Sequence, residues 1–442
     1  MKFVFLLALA LFGPALGLFL KSKPRLLPAA CFVLGVSTLL LGPSLWAALV
    51  PWPTWPGPVH GIEISFIDAF SLGFIWATTR NARIPWYLTI GFSVYCLALL
   101  ISTFDAFQWE PSVFYVWQLL RSVVLFVAIA RACLMDRRAS IALVAGLGVG
   151  LVLEAAYVAY QYKAGVARPG GTFGHSNFIG LTVDFVVFPA LALMLGTRRL
   201  LWPAMTMLAG LIIAVLGGSR ATLGLCAIGI LLTVVLSLAR KGTPRKYGFA
   251  GALAVLLVAS TPAIIWAAGR RTDDAVASSD AERRAMKGAA AMIISEHPLG
   301  VGANQYVIVA NTGGYSQRAG VAWNANNRSA PVHDTYYLIT AEMGFLGLIG
   351  FLATLGSLVF LGFKTLRRRS GIEMGELAPG LLATMIVSAF HISYEFVFMD
   401  STLHYLLAMT AGMIVAIAGL PLNSPKRAAG LSNTFAPASR SS

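Results

Sequence analysis

What constrains this chain most is the repetition of long apolar runs. Stretches of about 17 to 25 residues recur along its length, each able to cross a hydrocarbon core of about 30 Å as a helix. Thirteen are expected, at 2–20, 28–50, 64–79, 84–104, 113–130, 140–160, 178–196, 200–217, 221–239, 247–268, 335–363, 377–398 and 403–420. With 57% hydrophobic and 12% charged residues, a water-covered surface is excluded. The fold class expected is all-α, a polytopic helical membrane protein of about 12–13 transmembrane helices with one long outer loop. Five parts follow in order: N-terminal helices (1–164), a core with two short outer turns (165–268), the long connection (269–334), C-terminal helices (335–420) and a polar, disordered tail (421–442).

The net charge of +15 would suggest nucleic acid in a soluble chain. Here 21 of the 33 Lys and Arg fall on alternate connections, from Lys21, Lys23 and Arg25 through Arg367–Arg369 to Lys426, Arg427 and Arg440. That is the positive-inside pattern, so this side is the cytoplasm and no nucleic-acid partner is expected. The first run has its basic cluster behind it and no clear small-x-small cleavage site, so it reads as a retained anchor with its N-terminus outside. Cys31, Cys96, Cys133 and Cys226 are scattered without Cys-x-x-Cys spacing, which supports neither a disulfide framework nor a zinc site.

Charges within or just outside the apolar runs carry the functional information, because they are costly there. Arg121 stands ten residues before Arg131, about 15 Å higher on one helix, too far from the cytoplasm to snorkel. It faces a cavity, the outer surface or a carboxylate such as Asp68 or Asp184. In GGSRATLG (217–224), Ser219 can cap the next helix and Arg220 falls in its first turn, where a cation opposes the dipole unless an anion is shared with it; the alternative is an interfacial Arg on lipid phosphate. A polar helix is expected from about Asp280 to Glu296, opened by the capping-box spacing Ser279-x-x-Glu282. On it Asp280 can pair with Arg284, whereas Arg283 and Lys287 repel and invite a phosphate, or form a solvated face. Asp273–Asp274 reads as solvated loop.

His333 lies at the N-terminus of the following span, with Asp334 or Thr335 as cap, and the helix dipole keeps its imidazole neutral and able to accept a proton. ARPGGTFGHSNFIG (167–180) offers Arg168, His175 and Asn177 among glycines that let backbone amides approach an anion, although an ordinary interfacial loop has the same composition.

Together GTFGHSN (171–177), GSRATLG (218–224), RRAMKGAAAMIISEHPLGVG (283–302) and HDTYYLITAEMGFLGLIGF (333–351) resemble the bacterial O-antigen ligase and O-antigen polymerase superfamily. The resemblance implies a GT-C-like membrane fold in the bacterial inner membrane. The implied activity is a metal-independent, inverting glycosyltransferase that needs no cofactor and works at the periplasmic face. Its donor would be a glycan on undecaprenyl diphosphate. Its acceptor would be a polysaccharide repeat unit or lipid A core, with a chain-length regulator as a candidate partner. Carried over residue by residue, the resemblance puts diphosphate binding on Arg220 and on Arg283, with Arg284 adjacent, and acceptor activation on His333. Arg121, Arg168, His175, Asn177, Lys287, Arg318, Tyr336 and Tyr337 are candidate substrate contacts, with Arg328 a further one. Lys287 stands where many relatives carry an aromatic. Two other readings remain open, a protein O-oligosaccharyltransferase and a lipid-glycan flippase or transporter with Asp68, Asp184, Glu154 and Glu342 as a proton path.

Overall fold

The computed structural model describes residues 2–41, 46–269, 273–368, 373–396 and 400–420. Arg369, Lys426, Arg427, Arg440 and the tail expected over 421–442 lie outside them. Each of the thirteen apolar runs contains a helix: α1 (Lys2–Ser22), α2 (Leu27–Leu40), α3 (Phe66–Ala77), α4 (Trp86–Phe104), α5 (Trp109–Met135), α6 (Arg138–Lys163), α7 (Ser176–Gly196), α8 (Leu201–Leu216), α9 (Arg220–Arg240) and α10 (Pro244–Gly269) in the first part of the chain. The long connection holds α11 (Asp273–Glu296), α12 (Tyr306–Thr312), α13 (Tyr315–Arg318) and α14 (Ala325–Arg328). Beyond it come α15 (Thr335–Leu366), the short α16 (Glu373–Glu376), α17 (Ala378–His391) and α18 (Ser401–Ala418). The protein is an all-α polytopic membrane protein. Among the described residues, eight helices are long and apolar enough to cross a bilayer, and α2, α3 and α8 are shorter apolar helices.

The bundle is organised around α7, which is apolar all round and 94% buried over its apolar stretch. It is enclosed by α6, α8, α9 and α17. Close approach depends on small residues: Gly35 and Gly146 bring α2 against α6, and Gly13, Gly17 and Gly73 bring α1 against α3.

Three sequence expectations are corrected. The runs 28–50 and 64–79 are helical only over Leu27–Leu40 and Phe66–Ala77, because Trp46–Pro51 (β1) and Gly61–Ser65 (β2) form an antiparallel hairpin with Trp46 opposite Ser65 and Pro51 opposite Gly61. Pro53, Pro56, Pro58 and Gly57 in the tip forbid a helix there. Asn304 clips this tip to the long connection: its side-chain amide donates to Val59 O and Pro111 O, its Oδ1 accepts from Val59 N, and its carbonyl accepts from the Trp55 indole. Second, the polar helix begins at Asp273 rather than 280, so Asp273–Asp274 is helical and Ser279 lies inside the helix. The capping-box carboxylate Glu282 instead accepts from Ala322 N.

The third correction concerns the run 335–363, which is not one straight span. At Gly344 the backbone takes φ 67°, ψ −174°, and the chain reverses. Residues 335–343 form a short arm lying back on the helix that follows: Gly347 meets Met343 and Ile339, and the Tyr336 and Phe351 rings stand 6.0 Å apart. Only after Gly344 does the helix run through the bundle, alongside α4, with Gly350 against Tyr95 and Gly91 against Ala353. Residues 298–302 brace the reversal through Phe345 N to Pro298 O, Val301 N to Ala341 O and Gly302 N to Glu342 O. A side chain at 344 would meet Pro298 and Leu299 and would resist the positive φ, so only glycine suits the position.

Candidate functional site

Three helix N-termini converge at the end of the bundle that carries the long connection. His175 caps α7, its Nδ1 accepting from Asn177 N at 3.2 Å. Ser219 caps α9 by accepting from Thr222 N at 3.3 Å, as its sequence position suggests, and Arg220 opens that helix, exposed. Gly180 of α7 lies directly on Thr222, and Gly217 lies beside Ser176 and Pro169, so the 167–180 turn and the GSR turn are neighbours. Asp334 caps α15, Oδ1 accepting from Tyr336 N and Tyr337 N at 3.0 and 3.2 Å. Free N–H groups and the positive dipole ends together make this an anion-attracting corner.

At its centre is a residue that sequence reasoning missed. Glu395, in the connection between α17 and α18, has a side chain only 2% exposed yet three polar partners. Its Oε2 lies 3.2 Å from His333 Nδ1, and its Oε1 accepts from Arg283 at 3.2 Å and from Asn177 Nδ2 at 2.5 Å. Thr335 Oγ1 donates to its backbone carbonyl at 2.7 Å. Arg168 extends the chain, donating to Asn177 Oδ1 at 2.9 Å. Phe396 stacks edge-on to His333 at 5.0 Å and Phe178 packs on Phe396, giving the imidazole an aromatic wall. Burial alone would raise the Glu395 carboxyl, but the hydrogen bond with His333, the charge of Arg283 and the Asn177 amide outweigh it and hold the group below the usual carboxylate range. His175 is lowered, first by burial and further by the cations Arg168 and Arg283, against the opposing pull of Glu395.

The repulsion expected between Arg283 and Lys287 is relieved within the protein. Arg283 takes Glu395, while Lys287 Nζ sits 2.7 Å from Asp334 Oδ2 and 5.5 Å from the Tyr337 ring centre. The pair is therefore two charge-compensated cations and not a bare phosphate trap. Arg283 reaches Glu395, whereas Arg284 beside it on α11 is exposed.

Other expected contacts lie elsewhere. Arg121 is 5% exposed and held by Asp68 at 2.8–2.9 Å and by Ser65, with Glu63 at 3.9 Å and the Tyr405 ring beneath it, so it clamps the β2–α3 junction. Arg318 pairs with Glu296 at 3.3 Å and covers Tyr315, at the far end of α11 from Arg283. Arg328 binds Val321 O and Asn311 within the connection. The Tyr336 hydroxyl donates to Ala389 O at 2.6 Å, fixing the arm to α17. Among the carboxylates of the transport reading, Asp68 is bound to Arg121, Asp184 to His391 at 2.7 Å, Glu154 to Thr172, and Glu342 to Tyr306 N.

A carboxylate on one imidazole nitrogen fixes the ring's orientation and, when Nδ1 carries the proton, leaves Nε2 as the basic lone pair. Beside it stand guanidinium donors and helix N-termini suited to phosphate. Base and anion site in one corner suit transfer of a group from a phosphate leaving group to a hydroxyl.

No curated protein matches the chain. Residues 204–352 match the family model described as O-antigen ligase. The matched stretch contains Arg220, Arg283, Lys287 and His333; Arg168, His175, Asn177 and Glu395 lie outside it.

Proposed function

We propose that the chain, whose residues 204–352 match the O-antigen ligase family model, transfers a glycan from undecaprenyl diphosphate to a sugar hydroxyl at the periplasmic face of a bacterial inner membrane. The observation that carries this reading is the buried Glu395, which joins His333 and Arg283 in one shell at an anion-attracting corner. The acceptor oxygen attacks the anomeric carbon as the bond to the diphosphate oxygen breaks, which inverts that carbon. The hydroxyl proton passes to His333 Nε2, and the diphosphate leaves with its charge shared by Arg220, Arg283 and the N–H groups of α9.

Arg283 gives one donor to Glu395 and has a five-donor fork, so it can hold the carboxylate while reaching a phosphate oxygen. Glu395, Asn177 and Arg168 act as positioning residues, and Lys287 and Tyr337 line the approach. Replacing Arg220 or Arg283 by Lys keeps the charge but loses the fork, and a severe defect is expected from either.

The test is purified protein with undecaprenyl diphosphate-linked oligosaccharide, with and without lipid A core and without added metal, comparing wild type with His333→Ala. A ladder without core identifies a polymerase, and product only with core identifies a ligase. Absence of His333-dependent product under both conditions overturns this reading and leaves protein acceptors and transport to be assayed.

A further inference from the structure

α7 and α17 run antiparallel and meet at a series of contacts that ends at the site. Gly380 lies on the Phe188 carbonyl, Thr384 Oγ1 donates to Asp184 O at 2.8 Å, His391 Nδ1 lies 2.7 Å from Asp184 Oδ2, and Glu395 Oε1 accepts from Asn177. Asn177 and Asp184 are seven residues apart, two turns along one face of α7, and His391 and Glu395 are four apart. The Asp184–His391 pair therefore stands about 10 Å along α7 from the Asn177–Glu395 bond and joins the same two segments.

This pair is a costly way to join two helices. Both side chains are fully buried. Asp184 Oδ1, His391 Nε2 and the hydroxyl of Ser388, one turn before His391, have no hydrogen-bond partner among the described residues. Buried polar atoms left so cost stability, and apolar side chains of similar size can fill such a contact without loss. What hydrocarbon would not supply is direction, since a hydrogen bond fixes where the imidazole, and the backbone that carries it, can sit.

That backbone leads to the site. His391 is the last residue of α17, and beyond it Ile392 O and Glu395 O both accept from Thr335, from its N–H at 2.9 Å and its hydroxyl at 2.7 Å. Thr335 opens α15 two residues after His333. A shift at the end of α17 would thus displace Glu395 from its partners. We propose that Asp184 and His391 are positioning residues, a buried pair that fixes the end of α17 so that Glu395 meets His333 and Arg283 in register. The inference rests on the functional reading above and adds a deeper layer of residues behind the one that touches the imidazole.

The test separates direction from packing. In nanodiscs, Asp184→Val combined with His391→Leu replaces the pair by hydrocarbon. It is expected to hold the thermal midpoint of wild type while kcat falls about tenfold and KM for the undecaprenyl donor stays within about twofold. Asp184→Asn, which retains an acceptor facing His391 Nδ1, should recover most of that kcat. Built onto Glu395→Gln, the apolar pair should cost less than about twofold more, because its effect passes through that carboxylate. His391→Gln serves as a second variant, with the same expectations, should the double one fail to fold. Wild-type kcat, a defect in KM alone, or losses that multiply on the Glu395→Gln background overturn the proposal.

Hydrogen exchange tests the pair without glycan transfer. The amides of 392–394, bonded to the Ser388, Phe390 and His391 carbonyls, and that of Thr335 should exchange at least about tenfold faster in the double variant or in His391→Gln than in wild type. Arg245→Met should leave them unchanged. Unaltered exchange in the pair variants, or equal acceleration in Arg245→Met, overturns the proposal. A wild type inactive in glycan transfer counts against the functional reading instead, and the exchange measurement then decides the placement alone.

Discussion

The two ends of the bundle use the same kinds of side chain to opposite effect. At the basic end, Arg131, Arg240, Arg245, Lys246 and Arg368 reach backbone carbonyls at the C-termini of α3, α15, α7, α9 and α18, where cations complement the negative dipole ends. Glu376 lies among them, 3.8 Å from Arg240 and 3.9 Å from Lys246. At the other end the same five helices begin, capped by Ser65 with Asp68, His175, Ser219, Asp334 and Asp400. There Arg121, Arg283 and Lys287 are held by carboxylates. A cation on a helix C-terminus is fully used by the fold. A cation paired with a carboxylate beside helix N-termini stands in a field that favours further negative charge, and can be shared with an arriving anion.

If this contrast is right, substitutions at the two ends should separate activity from stability. The largest effect belongs to His333→Gln, which should cut turnover by roughly 10²–10⁴-fold while donor binding persists; near-normal turnover in the reconstituted assay would remove His333 from the reaction. Glu395→Gln should reduce turnover less, by about 10- to 100-fold, with the defect in kcat rather than KM.

The same variant sharpens the comparison through pH. The Glu395 carboxyl is held below its ordinary range, so its stabilising contribution is fully present above the unfolded-state value and is lost as pH falls through the depressed one. Wild type should hold its thermal midpoint from pH 8 down to about pH 5 and lose stability below that, more steeply than Glu395→Gln. Identical acid limbs for the two proteins would show that Glu395 is not the ionised hub.

At the basic end, Arg245→Met removes charge-assisted bonds to the α7 carbonyls and should destabilise by about 1.5–3 kcal/mol, with turnover per folded molecule unchanged. A loss of specific activity there would break the division between the two ends. The smallest effect is expected at the exposed pair Arg199–Glu373, where Arg199→Ala should change stability by less than about 1 kcal/mol, within the scatter of a thermal melt.

The helices were legible because run length and hydropathy are local properties, and all thirteen expected runs contain one. The α9 cap at Ser219 and the α15 cap at Asp334 were legible for the same reason. What the sequence hid was non-local or written in ambiguous residues. Gly344 is one of three glycines in GFLGLIG, and nothing nearby distinguishes a reversal from a packing glycine. The start of α11 was obscured because Ser279-x-x-Glu282 fits a cap pattern inside a continuous helix. Glu395 closes an expected apolar span, and its partners His333, Arg283 and Asn177 lie 62, 112 and 218 residues away in the chain. An acid at the outer end of a span was the available signal, and the same cost argument that singled out Arg121 applies to it.

That separation carries a consequence for biogenesis. The cations and the imidazole emerge from the ribosome long before the carboxylate that gathers them, since Glu395 follows α17 near the end of the chain. Until then the half-made protein holds uncompensated positive charge beside several helix N-termini. Folding of this centre therefore waits on synthesis through α17 and the residues after it, and a chain cut before α17 would keep every residue of the family-matched stretch and still lack an assembled centre.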